Sequence, residues 1–154
     1  GGVMAAALVT RLGFGKTDVI QMLNGCIGGL VAITAEPLMP SPLAAILIGG
    51  VGGVIVVYGT KMLFALKIDD VVGAVPAHLF AGIWGTLAVP ITNSDVSFGA
   101  QVLGVISVNA FVFVVAFIVW SIMKATIGIR LSKEGETKGT DVTETGVIAY
   151  AIRD

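Results

Sequence analysis

His78 is the only histidine in this 154-residue chain. It lies near the middle of an uncharged apolar run at residues 71–90, VVGAVPAHLFAGIWGTLAVP, which is long enough to cross a bilayer. An ionisable side chain at membrane depth is costly and marks, by default, a substrate path or a proton relay. A neutral imidazole carries one N–H donor and one bare nitrogen acceptor. It can hydrogen-bond a small neutral polar molecule and can take or return a proton, but it solvates a bare cation poorly. Ala74 and Gly82 lie one turn away, with Val75, Leu79 and Ala81 nearby. These small apolar residues leave a narrow slot, for which Ala74 and Val75 are candidate lining residues. Pro76, two residues earlier, can free a backbone carbonyl or kink the helix beside the ring. The competing reading is a helix histidine bonded to a neighbouring helix. A metal centre is disfavoured, because no second histidine and no suitable cysteine or carboxylate shares its depth. An enzyme is disfavoured too, since no nucleophile or paired carboxylate is visible for a histidine base to serve. No cofactor is expected.

Asp69 and Asp70 precede the same run, where carboxylates at a helix N-terminus cap free N–H groups and favour the helix dipole. The alternative is that one of them turns inward and braces the base of the pathway. Asn24 and Gln21 are polar residues in an earlier apolar segment, and Asn109 and Ser107 in a later one. Each can bond across to a neighbouring helix. Asn24 is the best placed of them to face a lumen. Cys26, the single cysteine, reads as a small hydrophobe.

The elements that must position these residues are membrane helices. Hydrophobic residues make up 56% of the chain and charged residues only 12%, too little charge for the surface of a soluble domain. No basic patch large enough for nucleic acid exists. The chain reads as a transmembrane domain over 1–130 followed by a tail over 131–154. Apolar segments lie at 1–14, 19–35, 42–60, 71–90 and 99–123; the first resembles the end of a span, and the other four are long enough to cross, roughly. Arg11 and Lys16 flank the first connection, Lys61 and Lys67 the third, and Lys124, Arg130, Lys133, Lys138 and Arg153 belong to the tail, while the second and fourth connections carry no basic residue. The positive-inside rule then predicts a multi-pass protein of the cell membrane with a cytoplasmic C-terminus. Small residues recur four apart at Gly25 and Gly29, at Gly49 and Gly53, and along Gly73, Ala77, Ala81 and Gly85, which predicts closely packed helices. Trp84 and Trp120 read as interfacial anchors. The opening Gly1-Gly2, with Met4 as first methionine, looks like the inside of a helix, so the chain is expected to be a piece of a longer protein.

Three motifs now carry a resemblance. The run from Ile68 through Asp69-Asp70, Pro76-Ala77-His78 and Trp84-Gly85 resembles the penultimate helix of ammonium transporters of the Amt branch. Asn24-Gly25, then Gly29-Leu30-Val31-Ala32-Ile33-Thr34, resembles their eighth helix. Gly128-Ile129-Arg130, then Gly139-Thr140-Asp141, Glu144, Gly146 and Ala149-Tyr150, resembles their cytoplasmic tail signature. The resemblance covers nearly the whole chain in order. It implies an all-α fold, the end of the seventh through the eleventh span of an eleven-helix transporter with inverted repeats, assembled as a homotrimer. It implies that His78 is the second of two paired pore histidines, which assist ammonium deprotonation and relay ammonia and a proton, with Asn24 and Thr34 as further lining positions. It implies a regulatory tail, marked by Gly139, Asp141, Glu144, Gly146 and Tyr150, that meets neighbouring subunits and a PII-type regulatory protein. The sequence departs from the family pattern at Leu79, where many relatives carry glycine, at Gly73, where some carry aspartate, and at Thr145, where histidine is frequent. The alternative of another class is a membrane ammonium sensor of the same fold.

Overall fold

The computed structural model describes residues 1–149, and the expectations for Tyr150 and Arg153 lie outside the described residues. The chain divides into two compact units, Gly1–Val108 and Asn109–Asp154. Its helices are α1 (Gly2–Phe14), α2 (Val19–Ile33), α3 (Pro42–Ala65), α4 (Val75–Thr92), α5 (Phe98–Thr126) and the short α6 (Lys133–Lys138). No strand occurs among the described residues, so the all-α expectation holds.

Local chemistry sets the helix ends. Gly15, in the left-handed conformation with φ 78°, terminates α1. The Asp18 carboxylate accepts from the Gln21 N–H at 3.1 Å and starts α2. Ser41 accepts from the Ala44 N–H, with Pro42 at the first position of α3. Three helices, α3, α4 and α5, are long and apolar enough to cross a membrane, whereas α1 and α2 are shorter apolar helices. The expected second span thus forms a helix of 15 residues, roughly 22 Å at the α-helical rise. It stops at Ile33 because Pro37 disfavours helical backbone at Glu36. In contrast, α3 continues past Thr60 through Lys61, whose ammonium lies 2.9 Å from the centroid of the Phe14 ring on α1.

The first unit packs by its smallest residues. Gly25, Gly28, Gly29 and Ala32 of α2 are buried, as are Gly49, Gly52 and Gly53 of α3. The stripe Gly73, Ala77, Ala81 and Gly85 is buried throughout its length. A Cβ at Gly52 would stand 2.6 Å from the Gly28 carbonyl oxygen and 3.0 Å from the Ala32 Cβ. One at Gly85 would collide with the backbone of Ala32. Backbone thus meets backbone where α2, α3 and α4 cross. Large apolar residues such as Leu8, Leu23, Leu30, Leu43 and Leu47 are exposed instead. Lipid tails are as apolar as leucine, so little is gained by burying leucine, and dispersion between closely apposed backbones holds the helices together.

Polar side chains tie the helices at both ends. The Thr10 hydroxyl, buried in α1, donates to the Ala6 carbonyl and accepts from the Asp18 N–H. The Thr60 hydroxyl reaches Gln21 Oε1 at 3.4 Å, the cross-helix bond expected of Gln21. Asn93 Nδ2 donates to Glu36 Oε2 at 2.9 Å, fastening the end of α4 to the connection between α2 and α3. Trp84 corrects an expectation. Its ring is partly buried against Ala32, Ile48 and Ala88, and its Nε1–H donates to the Ile48 carbonyl at 3.0 Å. It is an inter-helix strut rather than an interfacial anchor, because glycine neighbours leave room for an indole beside the backbone of α3.

In the second unit the segment after α5 is locally folded. Ser132 caps α6 through the Gly135 N–H, and Arg130 pairs with Glu136, with Nη2 to Oε2 at 3.1 Å. The Thr143 hydroxyl donates to the Gly135 carbonyl. A π-helical turn, Asp141–Thr145, ends at Gly146 with φ 69°. The Asp141 carboxylate then accepts from the Ala149 N–H at 2.8 Å, and Glu144 is exposed. The backbone donors of Ala149 and Val142 hold the Asp141 carboxyl below its ordinary value of 3.8.

Two outcomes follow from this packing. Gly52→Ala should cost about 1–3 kcal/mol and lower the thermal midpoint of the detergent-solubilised protein. Gly82→Ala, whose Cβ would sit 3.6 Å from Val31 Cγ1, should leave it unchanged or raise it; equal midpoints for the two variants would refute backbone crowding at Gly52. For the tail, a carboxyl lowered on folding contributes stability above its unfolded value and loses it as pH falls through the folded one. Protection of the Ala149 amide from hydrogen exchange should therefore persist at neutral pH, disappear only as acidification passes through the lowered value of the folded state, below the ordinary 3.8, and be absent at neutral pH in Asp141→Asn.

Candidate functional site around His78

The helix that carries His78 starts under three constraints. Gly73 has φ 75°, a conformation that side chains resist. It ends the irregular connection after α3 and turns the chain into α4. Asp70 then caps the new helix with both oxygens: Oδ1 accepts from the Ala74 N–H at 2.9 Å and Oδ2 from the Val75 N–H at 2.8 Å. Residue 76 is proline and has no N–H, and the Ala77 N–H bonds the Gly73 carbonyl. Every donor of the first turn is accounted for. The capping role expected at this position belongs to Asp70, and Asp69 is exposed. These caps also explain why helix begins at Val75 and not at residue 71.

Pro76 brings no N–H of its own to the turn. Asn24, 8% exposed on α2, donates its Nδ2–H to the Val72 carbonyl, just ahead of the helix, at 2.9 Å. The same amide nitrogen fills the space beside Gly73, where a Cβ would come within 2.5 Å of it. Asn24 is therefore committed to the bundle interior.

From Val75 to Phe80 the helix is a π turn, and only from Ala81 is it α. Such wide turns are rare and frequently lie at functional sites. Pro76 is buried, and both it and Phe80 seat on Gly59 of α3: a Cβ there would lie 2.9 Å from Pro76 Cβ and 2.7 Å from Phe80 Cδ2. The turn is thus clamped before and after the histidine.

His78 is exposed, whereas the stripe Gly73, Ala77, Ala81 and Gly85 on the same segment is buried. Ala74 and Leu79 are exposed with it, and Val75 is half-buried. Ala74 and Val75 lie about one turn before His78 on the same segment. Thr34 lies elsewhere. Thr34 follows the end of α2, where its hydroxyl donates to the Val31 carbonyl. Ala32 packs against Gly85, which sets Thr34 roughly two helical turns along from His78. Among the described residues no group of histidine, cysteine and carboxylate side chains could hold a metal ion.

Sequence reasoning missed Gly59 and Phe80 as the seat of the turn. It also missed Asn24 as the partner of Val72. The Asn24 bond depends on how α2 meets the connection ahead of α4. The seat on Gly59 depends on how α3 crosses α4, which no local pattern encodes.

Residues 1–150 match the sequence profile of the Ammonium Transporter Family. The chain is similar to ammonium transporter Amt2 of Archaeoglobus fulgidus, with 36% identity over 97% of this chain and 36% of that protein. It is similar to ammonium transporter Amt1 of Haloferax mediterranei, with 33% identity over 97% of this chain and 30% of that protein. It is also similar to the ammonium transporter of Bacillus subtilis, with 32% identity over 88% of this chain and 37% of that protein. The chain spans about a third of the length of these relatives. With the match running through all the helices and into the tail, the chain belongs to the ammonium transporter family.

Proposed function

We propose that this chain forms part of a transmembrane path for ammonium, and that His78 assists deprotonation and relays ammonia and a proton along it. The observation that carries the reading is the placement of His78: an ionisable ring on the open face of α4, on a clamped π turn, with small or apolar neighbours. Moving a bare charge through an apolar slot costs at least several kcal/mol, whereas ammonia is neutral. Potassium has no proton to give up, so the same path excludes it. Ala74 and Val75 line the slot beside the ring, and Thr34 lines it further along. The chain works in a multi-pass protein of the cell membrane, and the alternation of basic connections supports a cytoplasmic C-terminus. A homotrimer is the assembly we propose. The folded tail, with Gly139, Asp141, Glu144 and Gly146, is the proposed docking element for a PII-type regulatory protein.

In the complete protein that carries this chain, reconstituted in liposomes, His78→Ala should reduce ammonium-evoked current by at least about a hundredfold, in the range of a lost proton-transfer group, while the oligomer stays intact. Unchanged current and unchanged discrimination against potassium in a folded variant would sink the relay role. Deleting residues 132–154 should alter transport or abolish PII capture; no effect on either would remove the regulatory reading of the tail.

A further inference from the structure

Where α1 and α3 finish and α2 begins, the three helices enclose a cavity of about 200 Å³, lined in part by Phe14, Asp18, Gln21, Thr60, Lys61 and Phe64. None of its lining residues belongs to the segment that carries His78. Its walls hold hydrogen-bonding capacity that the fold leaves unused. Asp18 Oδ1 caps α2 through the Gln21 N–H, while Oδ2 meets no donor among the described residues. Gln21 Oε1 accepts from the Thr60 hydroxyl, while the Gln21 Nε2–H groups meet no acceptor among the described residues. The Lys61 ammonium rests on the Phe14 ring and has no carboxylate partner among the described residues. Phe14 and Phe64 are exposed, so the wall continues outward as apolar surface.

We propose that this cavity binds the headgroup of a phospholipid that carries both a phosphate and a primary ammonium, as phosphatidylethanolamine does. The phosphate meets Lys61 and the Gln21 amide N–H groups, the ammonium meets Asp18 Oδ2, and the acyl chains leave along Phe14 and Phe64. Basic pockets between membrane helices take phospholipid headgroups, and Lys16 and Lys67, in the connections after α1 and after α3, add positive charge at the same end. A plain anion is a poor occupant, because Asp18 repels it, and a plain cation is opposed by Lys61. A headgroup with both charges meets both. Its amine must carry N–H groups, since a carboxylate oxygen can only accept. A trimethylammonium group has none, and the Phe14 face that could hold it by cation–π attraction is covered by Lys61. The exposed aromatic walls favour a lipid over the free headgroup, because aromatic rings suit the boundary between headgroups and acyl chains.

The test is lipid binding to the complete protein that carries this chain, purified in detergent and titrated with phosphatidylethanolamine, phosphatidylglycerol and phosphatidylcholine of equal chain length, and with O-phosphoethanolamine. Phosphatidylethanolamine should bind about tenfold tighter than either other lipid, the scale of one hydrogen bond to a charged group. Asp18→Asn keeps the helix cap and should erase the preference for phosphatidylethanolamine over phosphatidylglycerol. Lys61→Met should weaken phosphatidylethanolamine about tenfold. Gln21→Glu keeps the acceptor for Thr60 and sets a carboxylate against the phosphate. It should weaken phosphatidylethanolamine to the same degree, and it tests the site independently where either charge-removing variant fails to fold. Equal affinity for the three lipids would overturn the proposal, as would a preference that survives Asp18→Asn and Gln21→Glu. O-phosphoethanolamine binding as tightly as the lipid would overturn the lipid as occupant. Binding is read here without transport, so the result stands apart from any role of His78.

Discussion

Close approach of backbones is the constraint on which the rest of the first unit depends. In lipid no hydrophobic force drives one apolar helix against another. The helices gain only what dispersion and polar bonds return, and dispersion falls away within about an ångström of lost contact. Hence the interior is glycine and alanine, at Gly28, Gly52, Ala32 and Gly85, while leucines stand outside. Once backbones touch, side chains from one helix can reach carbonyls on the next. Trp84 meets Ile48 and Asn24 meets Val72 only because no Cβ holds the helices apart.

That proximity makes irregular backbone tolerable. A proline, an irregular connection and a π turn would each expose polar groups to lipid, and each is served here from inside the bundle. Asp70 takes two free N–H groups, Asn24 takes the carbonyl, and Gly59 makes room for Pro76 and Phe80. Among the described residues, no buried side-chain polar atom lacks a partner.

Much of this was legible in the sequence, and for identifiable reasons. Composition and the long apolar runs announce membrane helices. Spacing of four announces the buried stripe from Gly73 to Gly85, because burial in lipid selects for size rather than hydrophobicity. An ionisable residue inside an apolar run announces His78. Other features were hidden because they depend on distance across helices. Trp84 has the residue type of an interfacial anchor, and only its place in mid-helix against α3 makes it a strut. Asn24 has the signature of a lining residue, and its bond to the Val72 carbonyl could be seen only once the helices were placed. Hydropathy runs on past Ile33, while the α2 helix ends there, ahead of Pro37.

The π turn reconciles two demands that a plain α-helix would set against each other. Residues four apart on an α-helix drift about 40° around the axis at each step, so a stripe from Gly73 to Gly85 would wind away from its partners. A turn closed by i→i+5 bonds holds more residues per turn and takes up part of that drift, which keeps Ala77, Ala81 and Gly85 on one buried side. Within the turn Pro76 and Ala77 are buried while His78 and Leu79 are exposed, so the widened segment carries packing residues and the imidazole on different faces. The local irregularity is therefore what lets one short helix serve both as a structural wall and as the carrier of an ionisable group. The residues that flank and seat it, Pro76, Gly73, Asn24 and Gly59, come from three separate segments of the chain.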